Sequence, residues 1–210
     1  GFADSTTALS YRIVSLATEW YTANTGAACT VQNISSSGTA VDTSEWFRPT
    51  YWESADPPVA KDDGTAGPYD MGANFTVFGD TFRYAWVGVN GAIGLSKGAT
   101  DTVDVNADGF ATTGWDFPFS QHHGVSDTSG LGNMPPMFIA PFWADLIVGD
   151  SAATYGKILY GNNADPCLFI VEWDSIGAFD ELGSTQDITT FRVVLNRCDG
   201  TIEYQYNSVG

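Results

Sequence analysis

The chain has 210 residues, 43% of them hydrophobic and 14% aromatic, with 25 acidic side chains against 8 basic ones and a formal net charge of −17. That imbalance excludes nucleic acid and anionic membrane surfaces as partners, since both are recognised through clustered Lys and Arg. No apolar run reaches the length of a membrane span, so no membrane insertion is expected either.

Valine, threonine and aromatic residues abound, there are 23 glycines, and no window of twelve residues keeps a helical apolar period without a breaker. The pattern predicts an all-β chain, and a single domain over 1–210, since a chain of this length buries roughly 70% of its unfolded surface. No basic, apolar leader opens the sequence, so Gly1 reads as the start of a mature or excised product. Residues 9–17, carrying Leu9, Tyr11 and Ile13, predict a strand after a polar leader. A Gly/Ser-rich patch at 33–38 separates it, and a strand ending near Ile34, from the next strand. Residues 46–70 read as irregular, with Trp46, Phe47, Tyr51 and Trp52 followed by Asp-Pro-Pro and Lys-Asp-Asp-Gly. Four aromatics there form either a lid packed on the fold or an exposed binding or assembly surface.

The periodicity then sharpens. Phe75-Thr-Val-Phe78 predicts a short strand, Phe82, Tyr84 and Trp86 alternate along the next, and Asn90-Gly91 predicts a two-residue hairpin turn. Residues 97–136 are a polar excursion, too long for a simple connection. Met137-Phe138-Ile139-Ala140-Pro141-Phe142-Trp143-Ala144-Asp145-Leu146-Ile147-Val148 comes next, an apolar run dense enough to be covered on both faces. Pro141 has no N–H to give a ladder, so the run must bend, bulge or lie at an edge there. Strands are then expected at 157–160, 168–173 and 191–195. Asp199-Gly200 turns into Ile202, Tyr204 and Tyr206, alternating with Glu203 and Gln205 as one dry and one wet face. About ten strands and two sharp hairpins make an antiparallel β-sandwich or jelly roll the expected class.

Cys167 opens one of these strands and Cys198 closes another that reads as its antiparallel neighbour. The pairing predicts a disulfide, worth roughly 3–4 kcal/mol for a loop of about 30 residues, and an oxidising, extracytoplasmic compartment. Cys29 lies apart from both, either buried and free or paired between chains.

The order of motifs resembles the nidogen-type extracellular (NIDO) domain and its bacterial secreted relatives. The matching pieces are Gly-Asp-Thr-Phe…Val-Gly-Val-Asn-Gly-Ala-Ile-Gly-Leu-Ser at 79–96, Ile-Ala-Pro-Phe-Trp-Ala-Asp-Leu at 139–146 and Gly156-Lys-Ile-Leu-Tyr160. They continue with Val-Glu-Trp-Asp-Ser-Ile-Gly-Ala-Phe at 171–179, Thr190-Phe-Arg-Val-Val-Leu195 and Gly200-Thr-Ile-Glu-Tyr-Gln-Tyr206. The body of the domain is thereby placed at 71–208, with 97–136 as an insertion and 1–70 as an N-terminal extension with its own strands. The resemblance implies an extracellular, non-catalytic module of matrix, adhesion or cell-surface proteins, and it carries no active site over.

Candidate chemistry is sparse. Asp104-Val-Asn-Ala-Asp-Gly109 places oxygens at Asp104, Asn106 and Asp108, with a backbone carbonyl at Phe110, the spacing by which a loop wraps calcium. The twelfth position, where a bidentate Glu belongs, is Trp115, with Asp116 one step late. Calcium is therefore the one candidate cofactor, against an ordinary Asx-rich turn. His122-His123 read as a polar surface pair, since neighbours on a strand point to opposite faces. Glu172, Asp174 and Asp145 fall close together in motif order, as the two carboxylates of a glycosidase do, but strand-end hydrogen bonding is the plainer account of them. Asn33-Ile-Ser35 and Asn74-Phe-Thr76 fit the glycosylation sequon.

Two functions compete. One is a structural subunit of an extracellular polymer, in which residues 1–17 pair along a neighbouring copy because no tight turn ties that strand to the next. The other is an adhesive module that binds a glycan or matrix protein through the 46–70 and 97–136 loops, with Trp46, Trp52 and Trp115 stacking on sugar rings.

Overall fold

The computed structural model of the chain describes residues 9–16, 19–25, 30–41, 65–100, 137–144, 146–148, 156–178 and 188–208, those at 9–25 by their backbone alone. Among them are twelve strands and no helix. In chain order these are β1 (Leu9–Leu16), β2 (Glu19–Thr25), β3 (Thr39–Ala40), β4 (Thr65–Val77), β5 (Asp80–Gly88) and β6 (Ile93–Ser96), then β7 (Met137–Ile139), β8 (Leu146–Ile147), β9 (Lys157–Gly161), β10 (Leu168–Ala178), β11 (Ile188–Asn196) and β12 (Thr201–Ser208). The larger sheet runs β2-β1-β12-β11-β10-β9-β3, with β8 paired to the end of β10; the smaller runs β4-β5-β6-β7. All pairing is antiparallel, and the two sheets make the expected β-sandwich.

Strand alternation sorts the residues of β10 and β11 between two covered faces. Phe169, Val171 and Trp173 join Phe191, Val193 and Leu195 in the main core, against Phe75, Phe82, Val87, Ile93 and Leu95 of the smaller sheet. Trp173 and Phe191 stack with ring centroids 4.9 Å apart. Leu168, Ile170 and Val194 face the other way, into a second cluster with Ile34 and Leu159. Two covered faces explain why both strands are almost unbroken apolar runs.

The 137–148 run bends at Pro141 as expected, but it does more than bend. Its first part, β7, is paired to β6 in the smaller sheet, and its second, β8, to β10 in the larger, so the run crosses from one sheet to the other. The strands after it are chiefly partners of one another. Asp145, the carboxylate in the run, lies outside the described residues.

The β5–β6 hairpin has three loop residues, Val89, Asn90 and Gly91, since Val87 pairs with Ile93 and Gly88 N donates to Ala92 O at 2.8 Å. Only Gly91 has positive φ, which is the three-residue form rather than the expected two-residue turn. The difference has a use. Asn90 is buried and its Oδ1 accepts from Leu146 N at 2.8 Å, so the side chain anchors β8. Any Cβ at Gly91 would lie 1.8 Å from Phe142 O.

Three further expectations change. β4 begins at Thr65, inside the stretch read as irregular; Pro68 and Gly72 hide its period, and Pro68 is tolerated because β4 is an edge strand. Residues 30–38, where a strand ending near Ile34 was expected, form instead a turn-containing strap, and the strand of that region is β2, ending at Thr25. The strand at 9–17 is found as β1, but Leu16 pairs with Glu19, so only two residues separate it from β2. Ala17 and Thr18 carry no Gly, Asn or Asp signal, which hid the hairpin.

Candidate functional site

Cys167 and Cys198 form the predicted disulfide, with Cα atoms 5.3 Å apart, just beyond the Leu168–Asn196 pair that ends the β10–β11 ladder. Arg197 clamps the same corner: its backbone N–H donates to Cys167 O at 2.7 Å and its Nη2 to Leu168 O at 2.9 Å. The β11–β12 turn behind it is held by Asp199 Oδ1, which accepts from Thr201 N at 2.9 Å and Thr201 Oγ1 at 2.7 Å.

The face of β12 expected to be wet is covered at Gln205, while Glu203 is half-buried and Asn207 exposed. Residues 30–41 cross the outer face of the larger sheet from β12 to β9, and polar side chains rivet them down. Gln205, buried, donates through Nε2 to Thr30 O at 3.1 Å and accepts from Gln32 N at 2.8 Å. Asn163 Nδ2 donates to Gln32 Oε1 at 3.2 Å. Further along, Ile34 N donates to Glu172 Oε2 at 2.8 Å, and Val41 N to Ile158 O at 2.9 Å. Ile34 is fully buried beneath the strap, and Asn33 Oδ1 folds back to accept from Ser35 N at 2.8 Å.

At the centre of that face Glu172 and Arg192 make an ion pair with both side chains fully buried, Nε to Oε2 3.3 Å. Arg192 Nη1 also donates to Asn207 Oδ1 at 3.1 Å. Two buried charges persist only when hydrogen-bonded in this way. Asp174 is met by Lys157 at 3.4 Å and by Ser175 Oγ at 3.0 Å. Glu172 and Asp174 are thus each committed to partners on neighbouring strands. Asn33 and Asn74 are both exposed at their sequon positions.

β1 closes the open side of β12. Leu9, Tyr11 and Ile13 pair opposite Tyr206, Tyr204 and Ile202, and on its far side β1 pairs with β2. Both flanks of the strand expected to seek a neighbour are therefore occupied within the chain. Among the described strands β1 lies between β2 and β12, and β2 is the edge strand beyond it. On β12 itself Tyr204 and Tyr206 are half-buried against the main core, and the Tyr206 hydroxyl donates to Pro141 O. Burial pushes the Tyr204 phenol up to about 12.

The calcium set (Asp104, Asn106, Asp108, Phe110, Asp116), the aromatic loop residues Trp46, Trp52 and Trp115, His122, His123 and Cys29 all lie outside the described residues. The polar row under the strap was missed from sequence; its only signal is that Glu172 and Arg192 stand inside apolar runs. A charge there needs a partner on the next strand.

No curated protein and no solved structure matches the chain. A family model described as NIDO related matches residues 39–210, from the start of β3 onward and without the β1–β2 hairpin or most of the strap. With the matched body spanning both sheets and holding the disulfide, the chain belongs to the NIDO-related family.

Proposed function

We infer that the chain is a non-catalytic structural subunit of an extracellular, surface-associated polymer. The observation that carries this reading is the β1–β2 hairpin, which lies outside the family-matched region and adds two strands to β12. A row of backbone N–H and C=O groups along β12 accepts a strand whatever chain it comes from. The disulfide fits an oxidising compartment outside the cytoplasm. Glu172 and Asp174 serve the fold through Arg192 and Lys157, which leaves these two carboxylates in structural roles.

The test is electron microscopy and light scattering of the intact chain over a concentration series, beside a variant lacking residues 1–25. The intact chain is expected to form filaments and the shortened one to stay monomeric with its disulfide formed. An intact chain that remains monomeric at high concentration overturns the reading in favour of an adhesive module that binds a glycan or matrix protein.

A further inference from the structure

Resting on that reading, we propose that the assembling element is the whole β1–β2 hairpin, exchanged so that it completes β12 of a second copy of this chain. Among the described residues the hairpin sits at the edge of the larger sheet and joins it through one ladder, Leu9 to Ile13 against Tyr206 to Ile202. An edge hairpin joined to its sheet by one five-residue ladder can open at a lower free energy than the whole fold.

Among the described residues, the neighbouring strap can keep its place when it opens. The strap beyond it is pinned independently, by Gln205 at Thr30 and Gln32, by Glu172 at Ile34, and by β3 on β9. Residues 26–29 alone join the hairpin to this anchor. Five peptide spans from Thr25 to Thr30 reach about 17 Å at full extension, enough to close on the chain's own β12 or to swing to another. The opened chain presents β12 as a bare edge, flanked by β11 on its other side and by the half-buried rings of Tyr204 and Tyr206. The same ladder then forms with a neighbour's hairpin in the same register. Intrachain and interchain forms make identical contacts, so exchange costs little beyond association itself. The short tether also requires that the β12 edges of donor and acceptor approach closely.

The register supplies the test. Arg12 pairs with Glu203, and Cα atoms that face each other across a ladder are within disulfide reach. Full-length chains carrying Arg12→Cys alone and Glu203→Cys alone, both with Cys29→Ser, are mixed under assembling conditions and oxidised. Exchange predicts a disulfide between the two kinds of chain, and a double variant that runs as a ladder of linked multimers on a non-reducing gel. Leu9→Cys with Tyr206→Cys gives a second pair should the first disturb folding. Polymers whose double variants link only within the chain, with no cross-product in the mixture, overturn exchange and leave the assembly reading intact. Exchange that stops at linked dimers supports the swap and overturns the polymer. A chain that neither polymerises nor cross-links overturns both.

Discussion

Tyr204 sits near the middle of β12 with its ring against the main core, and burial raises its phenol from about 10 to about 12 by disfavouring the charged form. A folded-state value above the unfolded one means the stabilisation is complete below about pH 10 and is lost as pH climbs towards 12. Two units correspond to roughly 2–3 kcal/mol. Tyr204→Phe should therefore show a flatter fall in urea midpoint between pH 10 and 12 than the parent chain. Parallel curves for the two would contradict the assignment. At Asn90 and Gly91 the sequence announced a turn but not its second task. A dipeptide pattern reports backbone preference, whereas the approach of Phe142 O to Gly91 and the bond from Asn90 to Leu146 N depend on segments some 50 residues away.

Among the elements, the outer-face strap is the one least visible in sequence. The alternation of Glu203 and Gln205 with Ile202 and Tyr204 reads as a sheet with one solvated face, and the strap that covers Gln205 is a Gly/Ser-rich stretch without a period of its own. What holds it is tertiary: a buried carboxamide, a buried carboxylate and the apolar cluster around Ile34. Arg192→Met should cost about 3–5 kcal/mol, because it leaves Glu172 charged and buried without its cation. Adding Glu172→Leu should recover only part of that loss, because Ile34 N then loses its buried acceptor; a double variant as stable as the parent would mean that the carboxylate does not hold the strap. The disulfide was legible because strand periodicity placed Cys167 and Cys198 at paired strand ends. Replacing both by Ser should lower stability by roughly 3–4 kcal/mol, a drop of about 10 °C in thermal midpoint for a domain of this size. A midpoint unchanged within about 2 °C would show that Arg197 and the Asp199 turn hold the corner unaided.

For the whole molecule, two packed sheets were readable because period-two patterning and hairpin signals are local, while the order of strands within the sheets is not. Nothing in residues 9–25 tells that their partner is β12, nearly two hundred residues downstream, beyond the weak alternation of Leu9, Tyr11 and Ile13. Charge was legible throughout, and it bears directly on the proposed assembly. Copies carrying a net charge of −17 repel, and screening shortens that repulsion from a range of about 10 Å at 0.1 M salt to about 3 Å at 1 M. Exchange of hairpins needs close approach of β12 edges, so self-association followed by light scattering should accelerate steeply with sodium chloride. At equal ionic strength calcium chloride should act no differently if screening is the whole effect. A calcium excess that disappears in Asp104→Ala with Asp108→Ala would place a bound cation in the acidic 104–116 segment and join it to assembly. Association that slows as salt rises would instead mean that attraction between unlike charges, not strand exchange against a repulsive background, brings the copies together.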